Sequence, residues 1–290
     1  MRTSTWAVVG LSFLAAACGS NVNGSGRTLI QNKGSDTLVN VAQAWAEAYS
    51  TVDPSCAVAV SGGGSGTGIS SMINGTVELA NASRKMKERE FAAARENGVD
   101  PVEHIVGFDA LVVYLHHDNP LESITIQQLA EIYGDGGSIE RWSQLGVTMP
   151  AGTSDEIVRV SRQNNSGTYV YFREAVLGKE GRYKLGSLDM HGSKDVVDLV
   201  EKTPGAIGYS GLAYATEHVK LVPVSPGEGQ GDVMPTVESA VDGTYPIARP
   251  LFMYTAGQPT GKVKEYLDWI LSDVGQRIIL EKGYAPARHF

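Results

Sequence analysis

Residues 162–172, with the sequence RQNNSGTYVYF, combine residue types that can bind an anion. Arg162 lies four residues before a Ser-Gly-Thr, and the following apolar residues are spaced as in a helix. The N–H groups in the first turn of a helix have no intrahelical partner, and the helix dipole is positive at that end. A hydroxyl residue there adds a further polar group, and arginine adds a planar cation that fits tetrahedral oxyanions. The segment therefore predicts an anion site at the start of a helix.

Two earlier segments have the same combination of hydroxyl residues and glycines. GSDTL at residues 34–38 and SGGGSGTGI at residues 61–69 each stand between a predicted strand and a predicted helix, as does NNSGTYV at residues 164–170. One such helix start is usually only a cap, but three on one chain are a stronger indication. Because helix starts in doubly wound sheets face the carboxyl edge of the strands, the three segments are predicted to share one ligand site.

Strand-like and helix-like patterns alternate along the chain, which predicts an α/β fold. Long apolar strands are predicted near residues 105–115 and 247–254, and we interpret them as two crossings between two lobes. The C-terminal helices are expected to return to the first lobe. On this interpretation lobe 1 comprises residues 27–112 and 249–290, and lobe 2 comprises residues 113–248.

The N-terminal residues 1–17 have the features of an export signal. An arginine near the start precedes an apolar stretch that is too short to span a membrane, and small residues stand directly before Cys18. This arrangement resembles a bacterial lipoprotein signal, in which Cys18 is lipidated after cleavage and residues 18–26 form a flexible tether. An ordinary secretory signal cleaved near Ala17 is the alternative. Either interpretation predicts an exported protein, and the first predicts a lipid anchor in a bacterial membrane.

The charge of the chain argues against nucleic acid as a partner. Twenty-four Lys and Arg residues stand against 32 Asp and Glu residues, a net charge of −8, and removal of residues 1–17 takes away one arginine and no acid. Nucleic-acid binding depends on neutralising phosphates with basic side chains. If Cys18 carries a lipid, Cys56 has no disulfide partner within the chain, and its apolar surroundings predict a buried thiol.

Motifs for nucleotides, cofactors, metals and nucleophilic catalysis are missing from the sequence. SGGGSGTGIS lacks the lysine of a Walker A loop, and no dinucleotide fingerprint, zincin motif or Gly-x-Ser-x-Gly is found. We therefore expect a free anion as ligand, and neither a cofactor nor a metal ion. His116 and His117 are adjacent and are expected on opposite faces of a strand, where they would not chelate one metal. No base stands beside Ser65 or Ser166, although a triad assembled in space is invisible in sequence.

Taken together, the motifs resemble those of a known family. GSDTL, GGGSGTG, ANASRK, R-x-x-x-SGT, AIGYSGLAY and RPLFMY occur in family order across nearly the whole chain. The sequence resembles the phosphate-binding proteins of bacterial high-affinity phosphate ABC transporters. The resemblance implies a type II periplasmic-binding-protein fold, whose two lobes close on inorganic phosphate and deliver it to the permease subunits. It implies a binding protein and not an enzyme.

The resemblance also implies which residues bind the ligand. Carried over position by position, they are Ser35, Thr37, the N–H of Leu38, Ser65, Ser83, Arg162, Ser166, Gly167 and Thr168. Many family members have an aspartate where this chain has Ser83, and that carboxylate accepts the proton that hydrogen phosphate carries and sulfate lacks. A serine can accept a hydrogen bond, but it excludes sulfate less strongly. Asp36 either supplies the missing carboxylate or caps its helix. Arg84 is a weaker candidate cation and is expected to be solvated.

Three alternatives remain open at this point. The ligand could be sulfate or another tetrahedral oxyanion. The chain could be an exported phosphatase or other hydrolase that uses Ser65 or Ser166. It could also be an adhesive or surface-matrix protein that retains the fold without transport.

Overall fold

The computed structural model describes residues 22–23, 26–227 and 229–288 of the 290-residue chain. The predicted signal peptide, the lipidation site Cys18 and most of the predicted tether lie outside these residues. Within the described ranges, no helix combines the length and the hydropathy that crossing a bilayer requires.

Strands and helices alternate, as the sequence pattern predicts. The strands are β1 (Val22–Asn23), β2 (Arg27–Gly34), β3 (Cys56–Ser61), β4 (Leu79–Ala82), β5 (Val102–His116), β6 (Ile124–Thr125), β7 (Val158–Arg162), β8 (Leu188–Met190), β9 (Ala206–Gly211), β10 (Val219–Val222), β11 (Val224–Ser225), β12 (Ala248–Thr255) and β13 (Ala285–Pro286). The α-helices are α1 (Val39–Val52), α2 (Ser65–Ile73), α3 (Glu88–Glu96), α4 (Ile126–Tyr133), α5 (Gly167–Phe172), α6 (Ser193–Glu201), α7 (Val237–Val241), α8 (Gly261–Ile270) and α9 (Asp273–Glu281).

Two groups of parallel strands carry the predicted helix starts. β2 pairs in parallel with β3 and with β4, and β7 pairs in parallel with β8 and with β9. α1 covers the first group through a buried stripe formed by Val41, Ala42, Trp45 and Tyr49. Because this stripe repeats every three to four residues, one helix face is apolar and packs inward.

The two long strands β5 and β12 connect the groups. They are antiparallel neighbours from Ala248 opposite Ala110 to Thr255 opposite Val102. Beyond that stretch, β5 continues and pairs with β9 and β10. β5 therefore belongs to both regions of the sheet, and the prediction of two crossing strands is confirmed.

The hydrophobic cores follow the same division. One core draws its buried residues from positions 110–247, and two others draw theirs from positions 30–106 and 251–284. α8 and α9 contribute Tyr266, Ile270 and Ile279 to the core that holds Trp45, so the C-terminal helices pack with α1. Cys56 is 2% exposed in that core. The lobe boundaries at residues 112 and 249 stay a prediction.

The expectation that His116 and His117 point to opposite faces is wrong. β5 ends at His116 and a turn follows, so the alternation of a strand no longer applies. The centroids of the two imidazole rings are 4.3 Å apart. One potential ligand atom from each of His116, His117 and Asp118 lies within 4.8 Å of the others. Because two of these residues are exposed, this spacing does not itself establish an ion site, and the lack of a bound metal stays a prediction.

Candidate anion-binding site

Three serines meet at the carboxyl edge of the parallel strands in the first region. Ser35 follows β2, Ser65 follows β3 and Ser83 follows β4. The Oγ of Ser35 donates to the Oγ of Ser83 at 2.9 Å, and the N–H of Ser83 donates to the Oγ of Ser65 at 3.0 Å. All three residues are buried. The shared edge predicted from the helix starts is therefore present.

The third helix start lies at the end of β7. Ser166 is the N-cap of α5, and its Oγ accepts from the N–H groups of Thr168 and Tyr169 at 3.1 and 3.5 Å. α5 continues into a π-helical segment over Arg173–Leu177. The expected capping role of the serine is present here, whereas the N-cap of α2 is Gly64 and Ser65 is the first helical residue.

Arg162 is buried at the mouth of these segments, with an exposed fraction of 1%. Its Nη1 donates to the Oγ of Ser193 at 2.9 Å, and its Nη2 donates to the carbonyl of His191 at 2.7 Å. Burial lowers the pKa of Arg162, while the neighbouring Asp36 opposes that shift. The guanidinium remains charged, because arginine does not deprotonate in proteins. Within the part of the chain that the structure describes, its Nε is a buried donor with no hydrogen-bond partner.

Asp36 forms an ion pair with this arginine. Its Oδ2 accepts from Nη2 of Arg162 at 3.1 Å, and its Oδ1 accepts from the N–H of Gly63 at 2.9 Å. The carboxylate therefore joins the first helix start to the second and to the third. The sequence alone predicts Asp36 as either a helix cap or a ligand acceptor, and it does not predict this ion pair.

The segments from β2, β3 and β7 contact one another directly. The Oγ1 atoms of Thr37 and Thr168 are 3.1 Å apart. The side-chain amide of Asn165 donates to the backbone carbonyl of Gly63 at 3.0 Å. The backbone carbonyl of Asn165 accepts from the N–H of Gly66 at 3.1 Å. These contacts define a closed arrangement around the candidate site.

Gly167, in the helix start that follows β7, lies directly against the serines that follow β3 and β4. A Cβ added to this residue would lie 2.3 Å from the Oγ of Ser65 and 2.4 Å from the Oγ of Ser83. Such distances are below van der Waals contact, so no larger side chain fits. The glycine in the Ser-Gly-Thr motif is thus required by close approach.

Sequence reasoning missed Arg249 on β12 and Asp109 on β5. Both are 1% exposed, and they face each other as direct partners in the β5–β12 pairing. The Nε and Nη2 of Arg249 donate to Oδ2 of Asp109 at 3.1 and 2.8 Å. A charged residue in each of two apolar strands was the available signal, because buried charges need partners.

Two further expectations differ from the structure. The N–H of Leu38 donates to the carbonyl of Ser35 at 3.0 Å, so this predicted donor is engaged within its own turn. Arg84 is 6% exposed, and the expectation that it is solvated is wrong. Its Nη1 and Nη2 donate to the two carboxylate oxygens of Glu90 at 2.8 and 2.7 Å, and this pairing allows its burial.

The fold and the buried polar site between the two groups of parallel strands define a solute-binding protein of the PBP class. A family model described as the PBP superfamily domain matches residues 21–274. This match confirms the predicted periplasmic-binding-protein fold.

Individual relatives narrow the family. The phosphate-binding protein PstS of Pseudomonas aeruginosa is 33% identical over 268 residues, which cover 89% of this chain and 82% of that protein. Protein SphX of Synechococcus elongatus is 34% identical and covers 90% of this chain and 78% of its own length. A Clostridium perfringens crystal structure with bound phosphate has a TM-score of 0.79 at 29% identity, covering 90% of this chain and 100% of that one. The chain therefore belongs to the PstS family of phosphate-binding proteins.

Proposed function

We propose that this protein captures inorganic phosphate between its two lobes and delivers it to the permease subunits of an ABC transporter. The observation that carries the proposal is the buried Nε of Arg162, a donor without a partner among the residues described, in a guanidinium whose Nη2 donates to Asp36 of the first helix start. The names of the relatives support the same ligand, since PstS is a phosphate-binding protein and the Clostridium perfringens structure holds phosphate.

The proposed contacts come from the segments described above. Arg162 supplies the charge, and hydroxyl or N–H groups of Ser35, Thr37, Leu38, Ser65, Ser83, Ser166, Gly167 and Thr168 surround the oxyanion. The N–H of Leu38 would have to share its bond with the carbonyl of Ser35. Closure of the lobes along β5 and β12 then sequesters the anion, which in turn stabilises the closed state.

The energetics allow tight binding despite the acidic chain. A hydrogen bond to a charged group contributes about 1.5–3 kcal/mol, and micromolar affinity requires about −8 kcal/mol. Several such bonds suffice after the costs of association. The negative charge of the chain acts from outside the site, and salt screens it beyond about 8 Å at physiological ionic strength.

We propose a binding role and not catalysis. The hydroxyls of Ser65 and Ser166 have described hydrogen bonds only with the hydroxyl of Ser83 and with backbone N–H groups, and neither bonds to a histidine or a carboxylate within the described residues. A serine nucleophile needs such a base. Turnover of a chromogenic phosphate ester that is lost in Ser166→Ala would instead support a hydrolase.

We further propose that the protein is exported and held on the extracytoplasmic face of a bacterial membrane by lipid on Cys18. Mass spectrometry of the mature N-terminus distinguishes the two signal interpretations. A lipid mass on Cys18 supports the anchor, and an unmodified N-terminus near residue 18 supports ordinary secretion. Phosphate uptake after deletion of the gene tests transport, and unchanged uptake would favour a surface protein without a transport role.

Calorimetric titration of the phosphate-stripped protein with phosphate and then with sulfate tests the ligand. We expect one phosphate per chain, with weaker sulfate binding. Equal affinity for the two anions would replace phosphate with a broader oxyanion class, which Ser83 in place of the family aspartate favours. If neither anion binds, the proposed function is wrong.

A further inference from the structure

Several hydrogen bonds that join the two regions of the site involve residues predicted to bind the anion. Arg162 donates to Asp36, and the Oγ1 atoms of Thr37 and Thr168 are 3.1 Å apart. Nη2 of Arg249 lies 3.3 Å from the first of these threonine oxygens and 3.1 Å from the second, so it orients both hydroxyls. A substitution of either threonine or of Arg162 would therefore change the predicted ligand contacts and the closed arrangement together.

Asn165 joins the same two regions through a separate pair of bonds. It lies between β7 and α5, whereas its two partners lie at the start of α2. Its side-chain amide donates to the backbone carbonyl of Gly63 at 3.0 Å, and its backbone carbonyl accepts from the N–H of Gly66 at 3.1 Å. Within the described ranges, none of the hydrogen bonds of Asn165 involves a residue predicted to bind the anion.

The bond to Gly66 completes the start of α2. Gly66 is the second residue of this helix, so its N–H has no partner within the helix and lies at the positive end of the helix dipole. The acceptor that it finds is a carbonyl oxygen from the other region. When the two regions separate, this N–H loses its protein acceptor, so the bond stabilises the closed arrangement.

Gly64 allows the carbonyl of Asn165 to come this close. Its φ is +90°, and a Cβ added to it would lie 2.8 Å from the carbonyl oxygen of Asn165. A side chain at this position would strain the backbone and push Asn165 away. The glycine tract before α2 therefore serves the contact between the regions as well as the helix start.

We propose that Asn165 retains the bound anion without contacting it, because its bonds to Gly63 and Gly66 hold the two lobes closed. The inference rests on the proposed capture of phosphate and names a residue that controls its release. The bonds exist only while the lobes are closed, so their loss speeds the opening of the loaded protein. The encounter of the anion with the open lobes does not involve them, so their loss does not slow association.

The first test compares release and association in Asn165→Ala. Release of radiolabelled phosphate into an excess of unlabelled phosphate is followed by rapid filtration, and calorimetry gives the dissociation constant. The release rate divided by this constant is the association rate. Alanine keeps the backbone bond and loses the side-chain bond, whose net contribution corresponds to about two- to tenfold. We expect release to be faster by about this factor, with an association rate that is unchanged or higher.

Asn164→Ala is the matched control for this substitution. Asn164 precedes Asn165 in the same segment and is exposed, so its variant removes the same side chain without removing the bond to Gly63. Its release and association rates should equal those of the wild type.

A second variant breaks the contact from the opposite side. In Gly64→Ala the added methyl group overlaps the carbonyl oxygen of Asn165, so release should again be faster than in the wild type. The backbone strain of this alanine is present in open and closed lobes alike and does not itself drive opening. Adding Asn165→Ala to Gly64→Ala should then speed release by a smaller factor than it does in the wild type. A residue that contacted the anion would show the same factor in both backgrounds.

The outcomes separate the inference from the proposed function. If the wild type binds phosphate and Asn165→Ala releases it at the wild-type rate, or associates more slowly, the inference alone is overturned. Equal factors in the two backgrounds also overturn it, because they make Asn165 a ligand contact. If Gly64→Ala does not fold, the two rates of Asn165→Ala decide. If the wild type binds no phosphate, the proposed function fails and the inference fails with it.

Discussion

The two buried arginine–aspartate pairs of the site are built in different ways. Arg249 and Asp109 are paired across neighbouring strands in one sheet, and both side chains are fully buried. Arg162 and Asp36 come from the ends of strands in different regions, and the Asp36 side chain is 13% exposed. The first pair is fixed by strand register, whereas the second depends on how the two regions approach each other.

This difference divides the roles of the two cations. The pair on the crossing strands exists in any state that preserves the β5–β12 pairing, so it contributes chiefly to stability and to the orientation of neighbouring hydroxyls. The pair at the helix starts exists only when the lobes are close together. Removal of Arg162 should therefore lower mainly the affinity for phosphate. Removal of Arg249 alone should lower mainly the free energy of unfolding.

The largest expected effect is on binding in Arg162→Ala. Three of the five N–H hydrogens of Arg162 are bonded to Ser193, Asp36 and His191, so the variant loses up to two charge-assisted hydrogen bonds to the anion. Each contributes about 1.5–3 kcal/mol, so phosphate affinity should fall about a hundredfold. Calorimetric titration measures this loss. Arg159→Ala on the same strand is the control and should bind as the wild type does, and equal losses in both variants would remove Arg162 from the site.

The next effect is on stability in Arg249→Gln. This change leaves Asp109 as a buried charge without a partner, so the free energy of unfolding should fall by about 3–5 kcal/mol. Arg162→Gln should lower it by less, because Asp36 reaches solvent and keeps its bond to the N–H of Gly63. Urea denaturation of the two variants measures the difference. Equal destabilisation would erase the distinction between the pairs.

The pH dependence of Arg249→Gln sharpens the same comparison. Burial is the main cause that raises the pKa of Asp109, and Arg249 lowers it. In the variant the folded-state pKa therefore lies further above the unfolded value of about 4, and the folded state binds the proton more tightly. The stability deficit relative to the wild type should be smallest at acidic pH and should grow as pH rises through the folded-state pKa. Adding Asp109→Asn should abolish this pH dependence of the deficit.

A smaller loss of binding is expected for Gly167→Ala. The added methyl group would overlap the hydroxyls of Ser65 and Ser83, and overpacking of this kind costs about 1–3 kcal/mol, so phosphate affinity should fall about tenfold or more. Gly257→Ala places its methyl group in open space and is the matched control. Unchanged affinity in Gly167→Ala would mean that binding does not need the close approach seen here.

The smallest expected effect is that of Asp36→Asn. Both carboxylate oxygens of Asp36 already accept hydrogen bonds from protein donors, so we expect phosphate and sulfate affinities to change together and by less than about tenfold. Competition between the two anions measures the ratio. A selective loss of phosphate would instead identify Asp36 as the acceptor of the ligand's proton, in place of the family aspartate.

The sequence alone predicts those features of the site that depend on residues close together in the chain. The helix starts at Ser65 and Ser166 follow from short runs of hydroxyl and glycine residues, and their convergence follows from the geometry of parallel strands. Arg162 is predictable for the same reason, because it lies within one motif. These features need only the direction of the chain and the order of the elements.

The remaining features depend on distances that the sequence does not contain. The partnership of Arg249 with Asp109 requires the register of two strands that lie 140 residues apart. The burial of Arg84 depends on Glu90, which lies across a strand-to-helix turn and not on a shared helix face. The placement of His116 and His117 depends on the residue at which β5 ends, and strand ends are uncertain by more than one residue in any pattern.

Two hydrogen bonds across the site affect how the protein loads its ligand and how a permease recognises it. They join Thr37 to Thr168 and Asn165 to Gly63. They join protein to protein, so they favour closure whether or not an anion is enclosed. A receptor that closes while empty cannot load, and its apparent affinity falls by the fraction of receptors in that idle state. A permease that recognised closure alone would also dock empty receptors. Discrimination between loaded and idle receptors therefore has to come from groups that respond to the anion itself, of which Arg162 is the foremost candidate.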